Sequence, residues 1–242
     1  MMLAITQARL SSSRFPRKIE QKILGMSILE IHLKRILKSK LIDKVIVAVA
    51  DEPGIEVLEK IATDLGVTCV RGSIDDVLLR FHSAASPYHP EAVVRLTTDC
   101  PLVDPQIIDG VVALYKSRNT DYVSNTQPAT FADGFDVEVI RWKAFNEAFQ
   151  EATLRSDREH VTKFIWTHPE RFSIVNYVNG ADESGYRLTI DYAEDFEVLK
   201  GLIDEIGLEG SHRDYVDALK NNAELRQLNQ MHIRNEALKG SL

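Results

Sequence analysis

The densest chemistry in the chain lies in residues 7–18, Gln-Ala-Arg-Leu-Ser-Ser-Ser-Arg-Phe-Pro-Arg-Lys. Arg9, Arg14, Arg17 and Lys18 flank three consecutive serines, and the segment directly follows the apolar run Leu3 to Thr6. If that run is the first strand of an open α/β sheet, the loop after it lies in the ligand crevice, at the carboxyl ends of the strands. Guanidinium, ammonium, hydroxyl and backbone N–H donors together suit phosphate oxygens. Neither G-x-x-x-x-G-K-[ST] nor G-x-G-x-x-G occurs in the segment, so it is not a Walker loop or a dinucleotide fingerprint. The competing reading is a solvated basic loop, since charge runs usually face water.

Two aspartates stand just past predicted strands. Asp99 follows Ala92 to Thr97 and precedes Pro101, and Asp191 follows Arg187 to Ile190. Carboxylates at two strand ends, with phosphate oxygens and water, would give Mg²⁺ its octahedral oxygen shell. Asp99 capping a turn and Asp191 capping a helix from Ala193 are the alternatives. Asp136 and Glu138 alternate with Phe135, Val137 and Val139, so they share one strand face, which fits either a sugar-binding surface or a solvated edge. Arg158-Glu159-His160 opens a predicted helix and offers groups for a carboxylate or hydroxyls, although a charged first turn is ordinary. The seven histidines show no H-E-x-x-H or Cys-paired spacing, and the aromatic residues form no stacking series. Zinc catalysis and single-stranded nucleic-acid binding are therefore disfavoured.

Positioning these groups requires alternating strands and helices. Lys44 to Ala50 and Val67 to Val70 read as the second and third strands and Ala92 to Thr97 as the fourth. Between them, helical stripes run over Ile28 to Ser39, entered by a Ser27/Glu30 capping box, then through Ile55, Leu58, Ile61, Ala62 and Leu65 to a stop at Gly66. Another starts near Asp75, and Asp104-Pro105 opens the next. Later strands are expected at Tyr122 to Ser124, Phe135 to Ile140, Phe172 to Tyr177 and Arg187 to Ile190. Later helices are expected at Trp142 to Glu151, Arg158 to Trp166, Ala193 to Ile206 and 212–236. The pattern predicts an α/β fold with a mostly parallel sheet, in a single domain over 1–242 with a helical extension at 207–242.

The 242 residues are 44% hydrophobic and 27% charged, which excludes a disordered or fibrous chain. The net charge of −7 is unevenly spread: residues 1–40 hold nine Lys/Arg against two acidic residues, and the rest hold 20 against 34. An acidic protein with one basic patch repels long polyanions but can hold a compact one such as a triphosphate, so nucleic acid is not an expected partner. Cys69 and Cys100 have no metal-ligand spacing and are expected as free thiols in a reducing compartment. No apolar run approaches a membrane span and no secretory leader is evident, so a soluble cytoplasmic protein is expected.

Gln7-Ala8-Arg9, Ser13-Arg14-Phe15-Pro16, Lys18 and Gly25 resemble the opening signature of sugar-acid cytidylyltransferases. They resemble in particular the spore-coat polysaccharide branch, related to the KDO and acylneuraminate enzymes. The likeness continues through residues 72–81, 95–102, 133–138 and 158–161 to Arg187-Leu188-Thr189-Ile190-Asp191. Arg17 departs from it where glycine usually precedes the lysine, and Thr98 where glycine commonly precedes the aspartate. The resemblance implies a three-layer Rossmann-like nucleotidyltransferase fold with a mixed sheet. It implies transfer of a cytidylyl group from CTP to a sugar acid, with Mg²⁺ on Asp99 and Asp191 and release of pyrophosphate. Arg14, Lys18 and Asp99 would be catalytic. Gln7, Ala8, Arg9, Ser12, Ser13, Asp76, Arg80, Asp136, Glu138, Arg158 and His160 would bind substrates, in a possible homodimer. The alternatives are another nucleotide, a sugar-phosphate acceptor, or a nucleotide-binding pathway protein without turnover.

Overall fold

The computed structural model describes residues 1–234 and Glu236. The chain opens with β1 (Met2–Ala8), then a short hairpin of β2 (Lys22–Ile23) and β3 (Met26–Ser27) leading into α1 (Ile28–Ile36). Ser27 Oγ accepts the Glu30 N–H at 3.1 Å, but the Glu30 carboxylate pairs with Lys34 instead of completing the box. β4 (Lys44–Ala50), α2 (Glu56–Asp64), β5 (Thr68–Gly72), α3 (Val77–Ala85), β6 (Ala92–Thr97) and α4 (Pro105–Ser117) follow in the predicted alternation. The Asp76 and Asp104 side chains cap α3 and α4 by accepting the Leu79 and Gln106 N–H groups at 2.8 and 2.7 Å.

β7 (Tyr122–Ser124), β8 (Glu138–Arg141), α5 (Trp142–Glu151), α6 (Arg155–Glu159), α7 (Lys163–Trp166), β9 (Ile174–Asn176), α8 (Ala193–Ile206), α9 (His212–Asn221) and α10 (Ala223–Gln227) complete the described chain. The sheet runs β5-β4-β1-β6-β8-β7-β9, with β8 antiparallel to both of its neighbours and the other pairings parallel. Strand side chains alternate between two cores. Met2, Ala4, Val45, Val47, Ala92 and Val94 pack toward α1, α2, α4, α8 and α9. Leu3, Ile5, Ile46, Ala48 and Val93 pack toward α3, α5 and α7. This gives three layers around a mixed, mostly parallel sheet. Among the described residues no helix is long and apolar enough to cross a membrane.

Five predicted elements change. The strand expected at Phe135 to Ile140 begins only at Glu138, because the Asn125 side chain takes over the backbone ahead of it, donating to the Phe135 carbonyl at 2.7 Å and accepting from Val137 N–H at 2.9 Å. The strand expected at Phe172 to Tyr177 shortens to β9. Arg187 to Ile190 forms no strand; it crosses the chain as a single bridge, Asp133 to Arg187, with Leu188 N–H donating to the Asp133 carbonyl at 2.6 Å. The helix expected at Arg158 to Trp166 divides into α6 and α7 at Val161, whose φ of 54° cannot continue a right-handed helix. In the 212–236 region two short helices replace a single long one, and residues 235 and 237–242 of the expected extension lie outside the described residues.

Candidate active site

Strand order reverses at β1: the chain builds β4 and β5 on one side, then crosses to place β6 on the other. The loops leaving β1 and β6 therefore diverge and open a crevice between them, where α/β sheets bind ligands. A cleft of about 520 Å³ occupies this position.

The β1 loop turns tightly about Leu10, whose carbonyl accepts the N–H groups of Ser12 at 2.9 Å and Arg17 at 3.1 Å. Arg17 sits in the left-handed region (φ 54°, ψ 28°) and starts a 3₁₀ turn over Lys18–Glu20. The glycine usual in this place fits such a backbone without strain. Burial of Ile19 fixes that turn and aims Lys18 into the cleft. Its Nζ donates to the Ile190 carbonyl at 2.5 Å and to Asp191 Oδ1 at 2.8 Å. Arg14 reaches the same carboxylate oxygen at 2.8 Å and lies over the Tyr192 ring. Burial would push the Asp191 carboxyl up, but Lys18, Arg14 and Arg187 outweigh it and hold the group below the usual carboxylate range.

Asp99, just past β6, and Asp191, at the end of the bridged 187–190 segment, are stitched together through the backbone. The Asp99 carbonyl accepts from Ile190 N–H at 2.8 Å and from Thr189 Oγ1 at 2.9 Å. Thr98, the second departure from the family pattern, donates its buried hydroxyl to the Gln7 carbonyl at 2.8 Å, tying the ends of β1 and β6. His32 of α1 adds a second tie, its Nδ1–H donating to the Cys100 carbonyl at 2.9 Å and its Nε2 accepting from Thr6 Oγ1 at 2.8 Å. The carbonyl can only accept, which fixes the neutral tautomer.

Deeper in the cleft, Arg187 gathers carboxylates that spacing does not connect. It pairs with both oxygens of Asp195 at 2.8 and 2.9 Å, with Asp133 at 2.9 Å and with Asp191 at 3.5 Å. Gly134 permits this approach: its φ is 114°, and a β-carbon there would meet the Leu188 carbonyl at 2.6 Å. Asp136 is held by Arg234, and burial, reinforced by Asp133, Glu138 and Asp99, pushes its carboxyl up to about 7. Glu138 accepts from Arg95, the Tyr122 hydroxyl and Thr162 Oγ1. Three buried atoms on cleft-lining residues, Gln7 Oε1, Arg80 Nε and Arg95 Nε, have no hydrogen-bond partner among the described residues. Groups left this way in a binding cleft are suited to a ligand.

Gln7, Ala8, Arg9, Ser12, Ser13, Arg14, Lys18, Arg80, Asp99, Asp136, Glu138, His160 and Asp191 all line this one cleft. Asp76 and Arg158 do not. They pair with each other at 2.7 Å outside the lining, where Arg158 also donates to the Phe149 and Ala152 carbonyls and Asp76 caps α3. Burial keeps His160 below the usual imidazole range. Spacing alone gave no sign of Arg95, Asp133 or Arg187 as cleft residues, or of Arg234 as the cation that holds Asp136 from outside the lining. The available signal was charge inside apolar runs, as at Arg95 between Val94 and Leu96.

The cytidylyltransferase family model matches residues 3–235. The chain belongs to the cytidylyltransferase family. It is similar to a solved cytidylyltransferase from Leptospira borgpetersenii, with 34% identity and a TM-score of 0.90 over 96% of this chain and 99% of that one. It is 28% identical to the spore coat polysaccharide biosynthesis protein SpsF of Bacillus subtilis, over 85% of this chain and 88% of SpsF. The 3-deoxy-manno-octulosonate cytidylyltransferase of Zea mays shares 30% identity over 57% of this chain and 47% of its own length. A nucleotidyltransferase enzyme on a Rossmann-like frame accounts for both the fold and the cleft.

Among the described residues no three His, Cys, Asp or Glu side chains form a cage for a metal ion. Mg²⁺ would need no such cage, since it dehydrates reluctantly and is usually held by one or two carboxylates plus substrate phosphate. Asp99 and Asp191 fit that donor set.

Proposed function

We propose that this cytidylyltransferase transfers the cytidylyl group of CTP to a sugar acid, releasing pyrophosphate, in the synthesis of a surface polysaccharide within the cytoplasm. The observation that carries this reading is the convergence of Arg14 and Lys18 on Asp191, beside Asp99, in the cleft that opens after β1. In-line attack on the α-phosphorus concentrates negative charge on the departing diphosphate, so the protein's task is positioning and charge neutralisation. Arg9, Ser12 and Ser13 hold the triphosphate, and Arg14 and Lys18 neutralise the leaving group. Arg80 and Gln7 offer their unpartnered atoms to the nucleotide. Asp136, Glu138 and His160 form the acceptor wall. Mg²⁺, held by Asp99 and Asp191, supplies further charge neutralisation when bound. Likeness to the Zea mays 3-deoxy-manno-octulosonate cytidylyltransferase supports an acceptor of sugar-acid class, and likeness to SpsF supports a role in polysaccharide synthesis. The test is pyrophosphate release from CTP with a panel of sugar acids, beside the corresponding sugar phosphates. Release with an acid and none with the phosphates is expected; the reverse would replace the acceptor class.

A further inference from the structure

Behind the basic loop stands a carboxylate that the proposed chemistry does not use. Glu52 lies just past the end of β4, and its two oxygens accept the backbone N–H groups of Leu10 at 2.5 Å and Ser11 at 3.2 Å. The Leu10 side chain is buried and packs toward Gly54 of the same β4–α2 segment, whose left-handed φ of 84° makes the turn. Together with the Ser12 and Arg17 N–H groups on the Leu10 carbonyl, this turns the three consecutive amides of Leu10, Ser11 and Ser12, and that of Arg17, inward. Such a loop meets a phosphate with side chains more than with backbone. The charge of Glu52 also acts on Arg80, a buried cation that lines the same cleft and, like Arg9, has no carboxylate within ion-pair distance among the described residues.

We propose that Glu52 is the positioning residue of the triphosphate loop, clamping its root so that Arg9, Ser12, Ser13, Arg14 and Lys18 face the cleft. This rests on the assignment of that loop to CTP. A carboxylate on two amides makes charge-assisted hydrogen bonds, stronger than neutral ones. Cations crowded into twelve residues otherwise repel and spread toward water, and a ligand would have to reorder them on binding. Pre-ordering the loop removes that cost from nucleotide affinity. Acceptor affinity does not depend on it, since the acceptor wall of Asp136, Glu138 and His160 is built from β8, the residues just before it and the α6–α7 break.

Glu52→Gln keeps the side-chain volume and places an amide group where an acceptor is needed; Glu52→Asp keeps the charge on a shorter stem. Steady-state kinetics and calorimetric titration with CTP are compared with Glu56→Gln, a control on an exposed residue that pairs with Arg71. For Glu52→Gln the expected result is a rise of tenfold or more in both KM and Kd for CTP, with the acceptor KM within twofold of wild type and partial recovery in Glu52→Asp. CTP constants within twofold of wild type, or parallel losses for CTP and acceptor together with a fall in melting temperature, would overturn the proposal. Amide hydrogen exchange on the wild-type protein without nucleotide gives a readout that needs no variant. The Leu10 and Ser11 amides should be protected, and exchange at the rate of an open loop would also refute the clamp. If the wild type binds no CTP, the functional assignment fails while the exchange experiment still decides whether Glu52 fixes the loop.

Discussion

Lys18 and Arg14 share one oxygen of Asp191, and this sets what each should do when removed. A preorganised contact to charge that grows on the departing diphosphate acts mainly in the transition state, so its loss lowers kcat more than it raises KM. Lys18→Ala and Arg14→Ala should each cost about 10²–10³ in kcat. Lys60→Ala, which removes only an exposed i,i+4 pair with Asp64, should stay within about 0.5 kcal/mol of wild type in stability and keep its rate. Steady-state kinetics on the three variants checks this, and control-like rates for both loop residues would return the segment to a solvated surface loop. Arg17 is tested differently. A non-glycine residue in the left-handed region bears roughly 1–2 kcal/mol of strain, partly offset here by its ion pair with Glu20. Arg17→Gly should therefore remain within about 1 kcal/mol of wild type, while Arg17→Val should lose roughly 1–2 kcal/mol because a β-branched residue tolerates this backbone least. Urea unfolding of the two variants measures the difference.

At the scale of elements, the site depends on holding β1, β6 and the 187–191 segment in register, and His32 is the tie that responds to pH. It is fully buried and neutral, and burial lowers its imidazole to about 4 from an ordinary 6.5. The unfolded chain takes up a proton there below pH 6.5 and the native chain does not, so the stabilisation is complete above 6.5 and is lost as pH falls toward about 4. At 1.36 kcal/mol per unit, the full loss is about 3 kcal/mol. Asp136 works in the opposite direction, since its raised carboxyl makes the native state bind the proton more tightly as pH falls from 7. Comparing variants at each pH cancels that contribution. Urea midpoints at pH 7 and pH 5 should show a steeper acid loss in wild type than in His32→Gln; parallel losses would mean that His32 is not the group responsible. Elements with strong internal periodicity were legible in the sequence: Lys44 to Ala50 and the stripe Ile107, Ile108, Val111, Val112 needed only alternation or a 3.6-residue repeat to be recognised. The elements that moved are those set by a distant partner. No local pattern announces that Asn125 will satisfy the backbone at Phe135 and Val137, or that Arg187 will turn a strand-like run into a crossing segment anchored on Asp133 and Asp195. The same physics separates the site residues that spacing found from those it missed. Asp99 and Asp191 follow strand-like runs and can be inferred from topology, whereas Arg234 reaches Asp136 across 98 positions.

For the whole molecule, the cleft is where the opposed charges of the chain meet: the basic opening segment supplies its loop, and the acidic remainder supplies Asp99, Asp133, Asp136 and Asp191. A triphosphate bound there would relieve the cations Arg9 and Arg80, which line the cleft without a carboxylate at ion-pair distance among the described residues. It binds the native state and finds no equivalent in the unfolded chain, where those groups are scattered. Ligand at a hundred times its dissociation constant should therefore stabilise the fold by about 2.7 kcal/mol. For a chain of this length that corresponds to a rise of roughly 5–11 °C in melting temperature. Charge alone would give the same rise with any nucleoside triphosphate, because the four common ones carry identical phosphates. The base must supply the difference, through contacts such as those open on Gln7 and Arg80. Thermal denaturation with Mg²⁺ and equal concentrations of CTP, UTP, GTP and ATP separates the two contributions. The expected order has CTP well above the purine nucleotides, with UTP nearer to it because the two pyrimidines differ in one exocyclic group. Equal shifts for all four would show that the cleft binds triphosphates without reading the base, and would limit the assignment to nucleotidyl transfer without a preferred nucleotide.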